Sequence, residues 1–195
     1  SKIETGNLSL EMVSFSLEKL INKTSEMVSL KADENGVAVI CKLDDNLPKI
    51  FKGDPTRLGQ VIINLLSNAV KLTTNGSVIV AVNLVKVEGE KNTVQFLVMD
   101  DGIGIPKNEL TNIFKDFSQA KDSTSRLYGG TGLGLSISQK IVRLMGGELE
   151  VESELNKGSK FFFTIELEDD YLEGSKRELN ENFVLETDFN QSKIL

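Results

Sequence analysis

Four polar side chains recur along one segment at spacings of seven, four and three residues: Arg57, Asn64, Asn68 and Lys71. On an α-helix these spacings place the four residues on one face. Carboxamide oxygens can ligate a hard cation such as Mg²⁺, and a lysine one turn further along can contact phosphate oxygens. A solvated helix face without a ligand shows the same pattern, so the stripe by itself leaves both interpretations open.

A short acidic and glycine-containing segment, residues 100–104 with the sequence DDGIG, directly follows an apolar run. A carboxylate at the end of a strand, here Asp100, can accept a hydrogen bond from an exocyclic amino group such as that of adenine. Gly102 and Gly104 allow the backbone to turn sharply and to approach a ligand closely. A tight turn without a ligand uses the same residues.

A second glycine cluster, residues 129–134 with the sequence GGTGLG, precedes a predicted helix. Backbone amides at a helix N-terminus attract anions, and glycines leave them accessible to phosphates. A flexible hinge is compatible with the same residues. No P-loop sequence GxxxxGK[ST] occurs, and neither cluster completes GxGxxG, because Lys107 and Ile137 stand at the third glycine position. A nucleotide site in this sequence is therefore of another kind.

The elements that must position these residues follow from periodicity and turn signals. The predicted helices span 15–32, 54–72, 106–114 and 133–145, and the predicted strands span 37–43, 50–51, 78–85, 94–99, 148–153 and 160–167. This order is not a regular alternation of strand and helix, which argues against a doubly wound sheet. We expect an α/β two-layer sandwich, in which helices cover one face of a mixed, mostly antiparallel sheet. The polar segment 115–130 is too long for a simple connection.

Composition limits the class of protein. The 195 residues are 39% hydrophobic and 26% charged, which is typical of a soluble globular domain, and the formal net charge of −7 argues against nucleic-acid binding. No apolar stretch approaches the roughly 18–20 residues of a membrane span, so we expect a soluble, cytoplasmic fragment whose parent protein could still be membrane-anchored. Cys41 lies in an alternating apolar run and is predicted to be a small buried side chain. The sequence contains no histidine.

Taken together, these motifs resemble the GHKL superfamily (gyrase, heat-shock chaperone ATPase, histidine kinase and MutL), and specifically its histidine kinases. The resemblance covers roughly residues 1–167 and follows the family's order. The matching segments are an N box at 54–71, a G1 box at 100–105, an F box at 113–117, a G2 box at 130–135 and a glycine turn at 158–161. Each box alone is a weak signal, whereas five in order are specific.

The resemblance implies the Bergerat fold, with three helices on a mixed sheet and ATP bound between helices beneath a mobile lid, 115–130. By position, Asp100 would accept from the adenine amino group, and Asn68 would ligate Mg²⁺. Asn64 would assist the metal or the phosphates, Lys71 would contact phosphate, and Arg126 would reach the terminal phosphate. The other implied nucleotide contacts are Gly102, Gly104, Ile105, Gly130, Thr131, Gly132, Leu133 and Gly134. Phe114 and Phe117 would anchor the lid.

Two positions depart from patterns in the superfamily. Asn64 stands where the ATPases of the superfamily carry a glutamate that activates water, and an amide cannot act as a general base. The resemblance therefore favours phosphoryl transfer over rapid hydrolysis. Leu72 stands where these kinases often have phenylalanine, so one side of the adenine pocket would be less aromatic.

The predicted organisation has three parts. Residues 1–14 would be the end of a dimerisation helix and a connector, 15–167 the ATP-binding catalytic domain, and 168–195 an acidic linker. Residues 192–195 look like the opening of a receiver domain's first strand, which would make the parent a hybrid kinase. The predicted cofactors are ATP and Mg²⁺. The predicted partners are the histidine-bearing dimerisation domain and a response regulator or fused receiver domain.

The predicted function is the catalytic domain of a two-component sensor histidine kinase, which would transfer the ATP γ-phosphoryl group to a histidine on the separate dimerisation domain. Without that domain, the fragment is expected to be monomeric. One alternative is a degenerate kinase acting as a scaffold, against which the intact Asn68, Asp100 and G2 glycines argue. Another is a serine-directed kinase of the anti-sigma type, against which the kinase-like lid and the dimerisation-helix remnant argue.

Overall fold

The computed structural model describes residues 9–114 and 134–172. In these residues the chain forms three helices: α1 (Leu17–Glu34), α2 (Pro55–Leu72) and α3 (Gly134–Leu144). It also forms seven strands: β1 (Val13–Phe15), β2 (Ala38–Leu43), β3 (Phe51–Gly53), β4 (Ser77–Glu88), β5 (Lys91–Asp100), β6 (Glu150–Glu154) and β7 (Gly158–Asp169). The predicted α/β sandwich is confirmed.

The strands form one sheet in the order β1-β3-β7-β5-β4-β2, and β6 pairs with β7 on the edge that it shares with β3. Among the described strands, β2 and β4 run parallel, while the other pairings are antiparallel. The mixed, mostly antiparallel sheet follows from this connectivity. The hairpin of β4 and β5 lies at the centre of the sheet. Its two strands are antiparallel because a short turn joins antiparallel neighbours, whereas parallel strands need a longer crossover.

The core lies between the sheet and α2, which packs on β4 and β5 and contacts α1 and α3. Alternate residues of the central strands point into it, and Phe96 of β5 stacks on Phe163 of β7 with ring centroids 4.9 Å apart. The apolar face of α2 is buried at Leu58, Val61, Ile62, Leu65, Leu66 and Ala69. Burying a leucine, isoleucine or valine side chain stabilises the fold by about 1.5–3 kcal/mol.

Helix α2 begins where the sequence predicts. The Asp54 carboxylate caps it, because Oδ1 accepts a hydrogen bond from the Arg57 amide at 2.9 Å, and Pro55 occupies the first turn. Helix α1 begins later than predicted. Ser16 is its N-cap, and the preceding Phe15 belongs to β1 and pairs with Phe51 of β3.

The helix predicted over 106–114 is wrong. This segment forms successive turns, in which the Glu109 amide donates to the Pro106 carbonyl and the Asn112 amide to the Glu109 carbonyl, both at 2.9 Å. Asparagine side chains such as Asn108 and Asn112 compete with helical backbone hydrogen bonds and favour turns. Phe114 at the end of the segment packs against the core.

Cys41 is exposed, so the prediction that it is buried is wrong. The cysteine lies on β2, at the edge of the sheet, and its Sγ is 3.2 Å from Ser25 Oγ on α1. An alternating apolar pattern indicates the face of a strand but not whether the strand lies at the edge.

The sheet also extends past the predicted catalytic-domain limits of 15 and 167, because β1 begins at Val13 and β7 ends at Asp169. None of the helices in the described residues is long and apolar enough to cross a membrane.

Candidate nucleotide-binding site

The G1 segment is held against the C-terminal end of α2. The Ile103 amide donates to the Leu72 carbonyl at 3.2 Å, and a Cβ atom at Gly102 would lie only 2.4 Å from the same oxygen. A larger residue at this position would push the loop away from the helix. The loop therefore lies beside the turn of α2 that carries Lys71.

Asp100 occupies the last position of β5 and is half-buried. Its Oδ1 accepts from the Gly102 amide at 2.9 Å, and the Ser159 amide on β7 also donates to the carboxylate. Burial raises the pKa of Asp100 above its ordinary value, the charge of Asp101 adds to the increase, and the two amides oppose it. This partly desolvated carboxylate at a strand end is suited to accept a hydrogen bond from an amino group.

The hairpin of β6 and β7 supports the other side of the loop. The Asn156 amide donates to the Ile103 carbonyl, and the Ile105 amide donates to Ser153 Oγ, both at 2.7 Å. At Gly104, where φ is +67°, a Cβ atom would lie 2.0 Å from the Glu154 carbonyl oxygen. The G1 loop is therefore fixed between α2 and this hairpin.

Sequence analysis missed Ser153 and Ser159 as parts of this support. The two serines face each other across β6 and β7, with their Oγ atoms 2.9 Å apart. In the sequence, residues 158–161 indicate only a glycine turn, and it is the register of β6 and β7 that brings Ser153 beneath the loop.

Asp101 does not face the loop but accepts hydrogen bonds from the Ser77 amide at 2.8 Å and from the Ser77 hydroxyl at 2.9 Å, which fixes the start of β4.

The first turn of α3 meets α2 at Asn64. The Asn64 Nδ2 atom donates to Ser138 Oγ at 2.9 Å, and its Oδ1 faces Gly134, where a Cβ atom would lie 2.3 Å away. Gly134 is the first residue of α3. The described end of the G2 box is thereby placed beside the predicted phosphate-binding face of α2.

Asn64, Asn68 and Lys71 lie along one face of α2 and are half-buried. The Asn68 side chain makes no hydrogen bond to any other residue within 9–114 and 134–172. Arg57 shares the face but lies in the first turn of the helix, far along it from the G1 loop, and its Nη1 donates to Gln60 Oε1 at 3.0 Å. The stripe is thus brought to the G1 loop only at its C-terminal end.

The remaining G2 and lid residues lie outside the described residues. They are Arg126, Gly130, Thr131, Gly132 and Leu133, together with Phe117 and the predicted lid 115–130. Their roles stay predictions. In the part of the chain that the structure describes, no three cysteine, aspartate or glutamate side chains are grouped to hold a metal ion.

Comparison with known proteins agrees with this geometry. The family of histidine kinase-, DNA gyrase B- and HSP90-like ATPases matches residues 53–169. The chain is 40% identical over 165 residues to hybrid signal transduction histidine kinase B of Dictyostelium discoideum, covering 85% of this chain and 8% of that protein. It is 36% identical over 186 residues to the histidine-protein kinase BarA of Escherichia coli K12, covering 95% of this chain and 19% of BarA. The chain thus spans less than a fifth of the length of these relatives.

Two solved structures are similar. Full-length ShkA in complex with AMPPNP superposes with a TM-score of 0.69 at 31% identity, covering 81% of this chain and 31% of ShkA. The nucleotide-free catalytic domain of histidine kinase ThkA gives a TM-score of 0.62 at 30% identity, covering 80% of this chain and 95% of ThkA. The chain belongs to the histidine kinase-, DNA gyrase B- and HSP90-like ATPase family, and within it to the ATP-binding catalytic domains of two-component histidine kinases.

Proposed function

We propose that this domain binds Mg-ATP and donates the γ-phosphoryl group to a histidine on a separate dimerisation domain of its parent protein. The observation that carries the proposal is the position of Asp100, a half-buried carboxylate fixed beside the end of the helix that bears Asn68 and Lys71. An adenine acceptor and two phosphate- or metal-binding side chains therefore flank one loop.

In this proposal the adenine amino group donates to Asp100, while Gly102 and Gly104 let the backbone approach the base. Ile105 packs against the core and is suited to contact the ring. Lys71 contacts the phosphates, and the amides at the start of α3, including that of Gly134, face them. Arg126 and the glycines at 130 and 132, with Thr131 and Leu133, complete the phosphate contacts from the lid side.

Asn68 is the residue proposed to hold Mg²⁺. Its amide oxygen is a hard ligand, and the side chain is half-buried without a hydrogen bond inside the described residues. Such a group fits a Mg²⁺ ion whose other ligands are phosphate oxygens and water. The ion would neutralise charge on the phosphates during transfer.

In the proposed reaction, the bond from the γ-phosphorus to the bridging oxygen breaks, and a bond from phosphorus to an imidazole nitrogen forms. ADP leaves with the electron pair of the broken bond, and the imidazole proton passes to a base outside this domain. Asn64 supports transfer over hydrolysis, since an amide cannot deprotonate water and its nitrogen is engaged by Ser138.

The relatives support the proposed partners. The curated proteins that match include hybrid histidine kinases, and the ShkA structure contains AMPPNP. We place the histidine-bearing dimerisation domain upstream of this domain, and a receiver domain or separate response regulator as the next phosphoryl acceptor. The domain itself is expected to be monomeric and to act in the cytoplasm.

Phosphotransfer from γ-labelled ATP to the histidine-bearing dimerisation segment of the parent protein tests the proposal. The wild-type domain should label that segment with an acid-labile phosphoryl group. Asp100→Asn should reduce the labelling rate about tenfold or more at limiting ATP, because a hydrogen bond to a charged acceptor is worth about 1.5–3 kcal/mol. Asp45→Asn removes an exposed carboxylate and serves as the matched control.

Nucleotide binding without any labelling, for the wild-type domain, would contradict the transfer function and would favour a scaffold. Equal labelling by wild type and Asp100→Asn would contradict the placement of the adenine site. Label on a serine of the partner would instead favour the alternative kinase of the anti-sigma type.

A further inference from the structure

We propose that Ser138 is a positioning residue that acts through Asn64, holding the phosphate-binding end of α3 against the metal- and phosphate-binding face of α2. The inference rests on the proposed function and adds a residue to it. Its basis is a clasp formed by three residues, Asn64, Gly134 and Ser138, in which one carboxamide contacts α3 at two points.

The first point of the clasp is a buried hydrogen bond. Ser138 is only 2% exposed, and its Oγ accepts from Asn64 Nδ2 at 2.9 Å. Asn64 is itself half-buried between the two helices. Removing the serine oxygen would leave an amide donor in this interface without its partner, and such a donor costs more than an exposed one because water cannot readily replace the lost acceptor.

The second point is a close approach. Asn64 Oδ1 lies where a side chain at residue 134 would have to stand, 2.3 Å from an ideal Cβ position on Gly134. Gly134 and Ser138 are one helical turn apart and therefore lie on the same side of α3. Because the two ends of one amide contact successive turns, Asn64 fixes both the distance and the rotation of the start of α3.

The consequence for function follows from what each helix contributes. The first turn of α3 offers backbone amides to phosphates, while Asn68 and Lys71 follow Asn64 on the same face of α2. Loosening the clasp separates these two groups. The adenine end is supported independently, by the Leu72 carbonyl and by the hairpin of β6 and β7. Loss of Ser138 should therefore weaken recognition of the phosphates and not of the base.

The test compares two ligands, a non-hydrolysable ATP analogue with Mg²⁺ and adenosine, whose affinities are measured by calorimetry and by NMR titration. Ser138→Ala should lower the affinity for the analogue about tenfold and leave the affinity for adenosine unchanged. Ser138→Cys fills the site with a slightly larger thiol that is only a weak acceptor, and it should show the same selective loss. The matched control is Thr24→Val, because Thr24 is 4% exposed on α1 and, among the described residues, its hydroxyl bonds only carbonyls of its own helix.

A double-mutant cycle separates positioning from simple packing. If Ser138 acts through Asn64, then Ser138→Ala should have no further effect on analogue affinity in an Asn64→Ala background. Equal weakening of analogue and adenosine would show a general structural role and overturn the proposal. Additive effects in the cycle, or unchanged affinity in both Ser138 variants, would also overturn it. Failure of the wild-type domain to bind either ligand would instead contradict the proposed function.

Discussion

At the scale of single residues, Asp100 combines a proposed role in adenine binding with a cost in stability. Burial is the main influence on the pKa of Asp100, and it raises that pKa above its ordinary value. In a folded protein a raised carboxyl pKa means that burial favours the neutral form. The proposed contact with the adenine amino group requires the ionised form, so binding and burial oppose each other.

The pH dependence of nucleotide affinity follows from this opposition. Affinity should fall as the pH is lowered through the raised pKa of Asp100, above the range in which an ordinary aspartate titrates, because the protonated carboxyl is a poorer acceptor. Asp100→Asn should bind more weakly and lose this pH dependence. Dissociation constants measured as a function of pH for both proteins check the prediction, and an unchanged pH profile in the variant would contradict it.

For Asp100→Asn we predict that the stability of the domain does not fall, although its nucleotide affinity does. Stability from a group with a raised folded pKa is fully present below its unfolded pKa and is lost as the pH rises through the folded value. At neutral pH the ionised Asp100 therefore disfavours folding, and Asp100→Asn should have an equal or higher melting temperature. A large decrease would mean that the loop, and not the adenine contact, depends on the carboxylate.

At the scale of elements, the segment that enters the domain is joined to the helix that carries the site. The Glu11 amide donates to Asp54 Oδ2 at 3.0 Å, while Oδ1 of the same carboxylate caps α2. The entering strand β1 pairs with β3, and Ser14 donates to Asp170 just beyond β7. The first strand of the described domain and the residues just after its last strand therefore lie together at one edge of the sheet.

Two substitutions at Asp54 separate its two bonds. Asp54→Asn keeps an oxygen for the helix cap but replaces the second acceptor, so amide exchange in residues 9–15 should accelerate while α2 stays protected. Asp54→Ala loses both bonds and should lower the free energy of unfolding further, by about 0.5–2 kcal/mol, the usual value of an N-cap. Hydrogen exchange and chemical denaturation measure the two effects. Unchanged exchange at 9–15 in Asp54→Asn would contradict the proposed link.

Local patterns in the sequence were sufficient to predict α2, because its cap, its proline and its apolar stripe all lie within the helix itself. They were sufficient for the central strands as well, whose alternation follows from burial of one face. Strand β1 was missed, since three residues carry no periodicity and pair only through β3. The exposure of Cys41 and the roles of Ser153 and Ser138 depend on strand order and helix contacts, which no local pattern contains.

At the scale of the whole molecule, the proposed site has two ends that different contacts support. The proposed adenine end lies between the β6–β7 hairpin and the C-terminal end of α2, whereas the proposed phosphate end depends on the contact between α2 and α3. The proposed Mg²⁺ ligand, Asn68, lies between the two ends on α2.

Calorimetric titration of the domain with a non-hydrolysable ATP analogue, with and without Mg²⁺, tests the central claim most directly. The account predicts micromolar-range binding that Mg²⁺ strengthens, and an Asn68→Ala variant that retains binding but loses the effect of Mg²⁺. Ser67→Ala, at the neighbouring exposed position, is the control. Absence of binding at millimolar nucleotide, or a Mg²⁺ effect that persists in Asn68→Ala, would contradict the account.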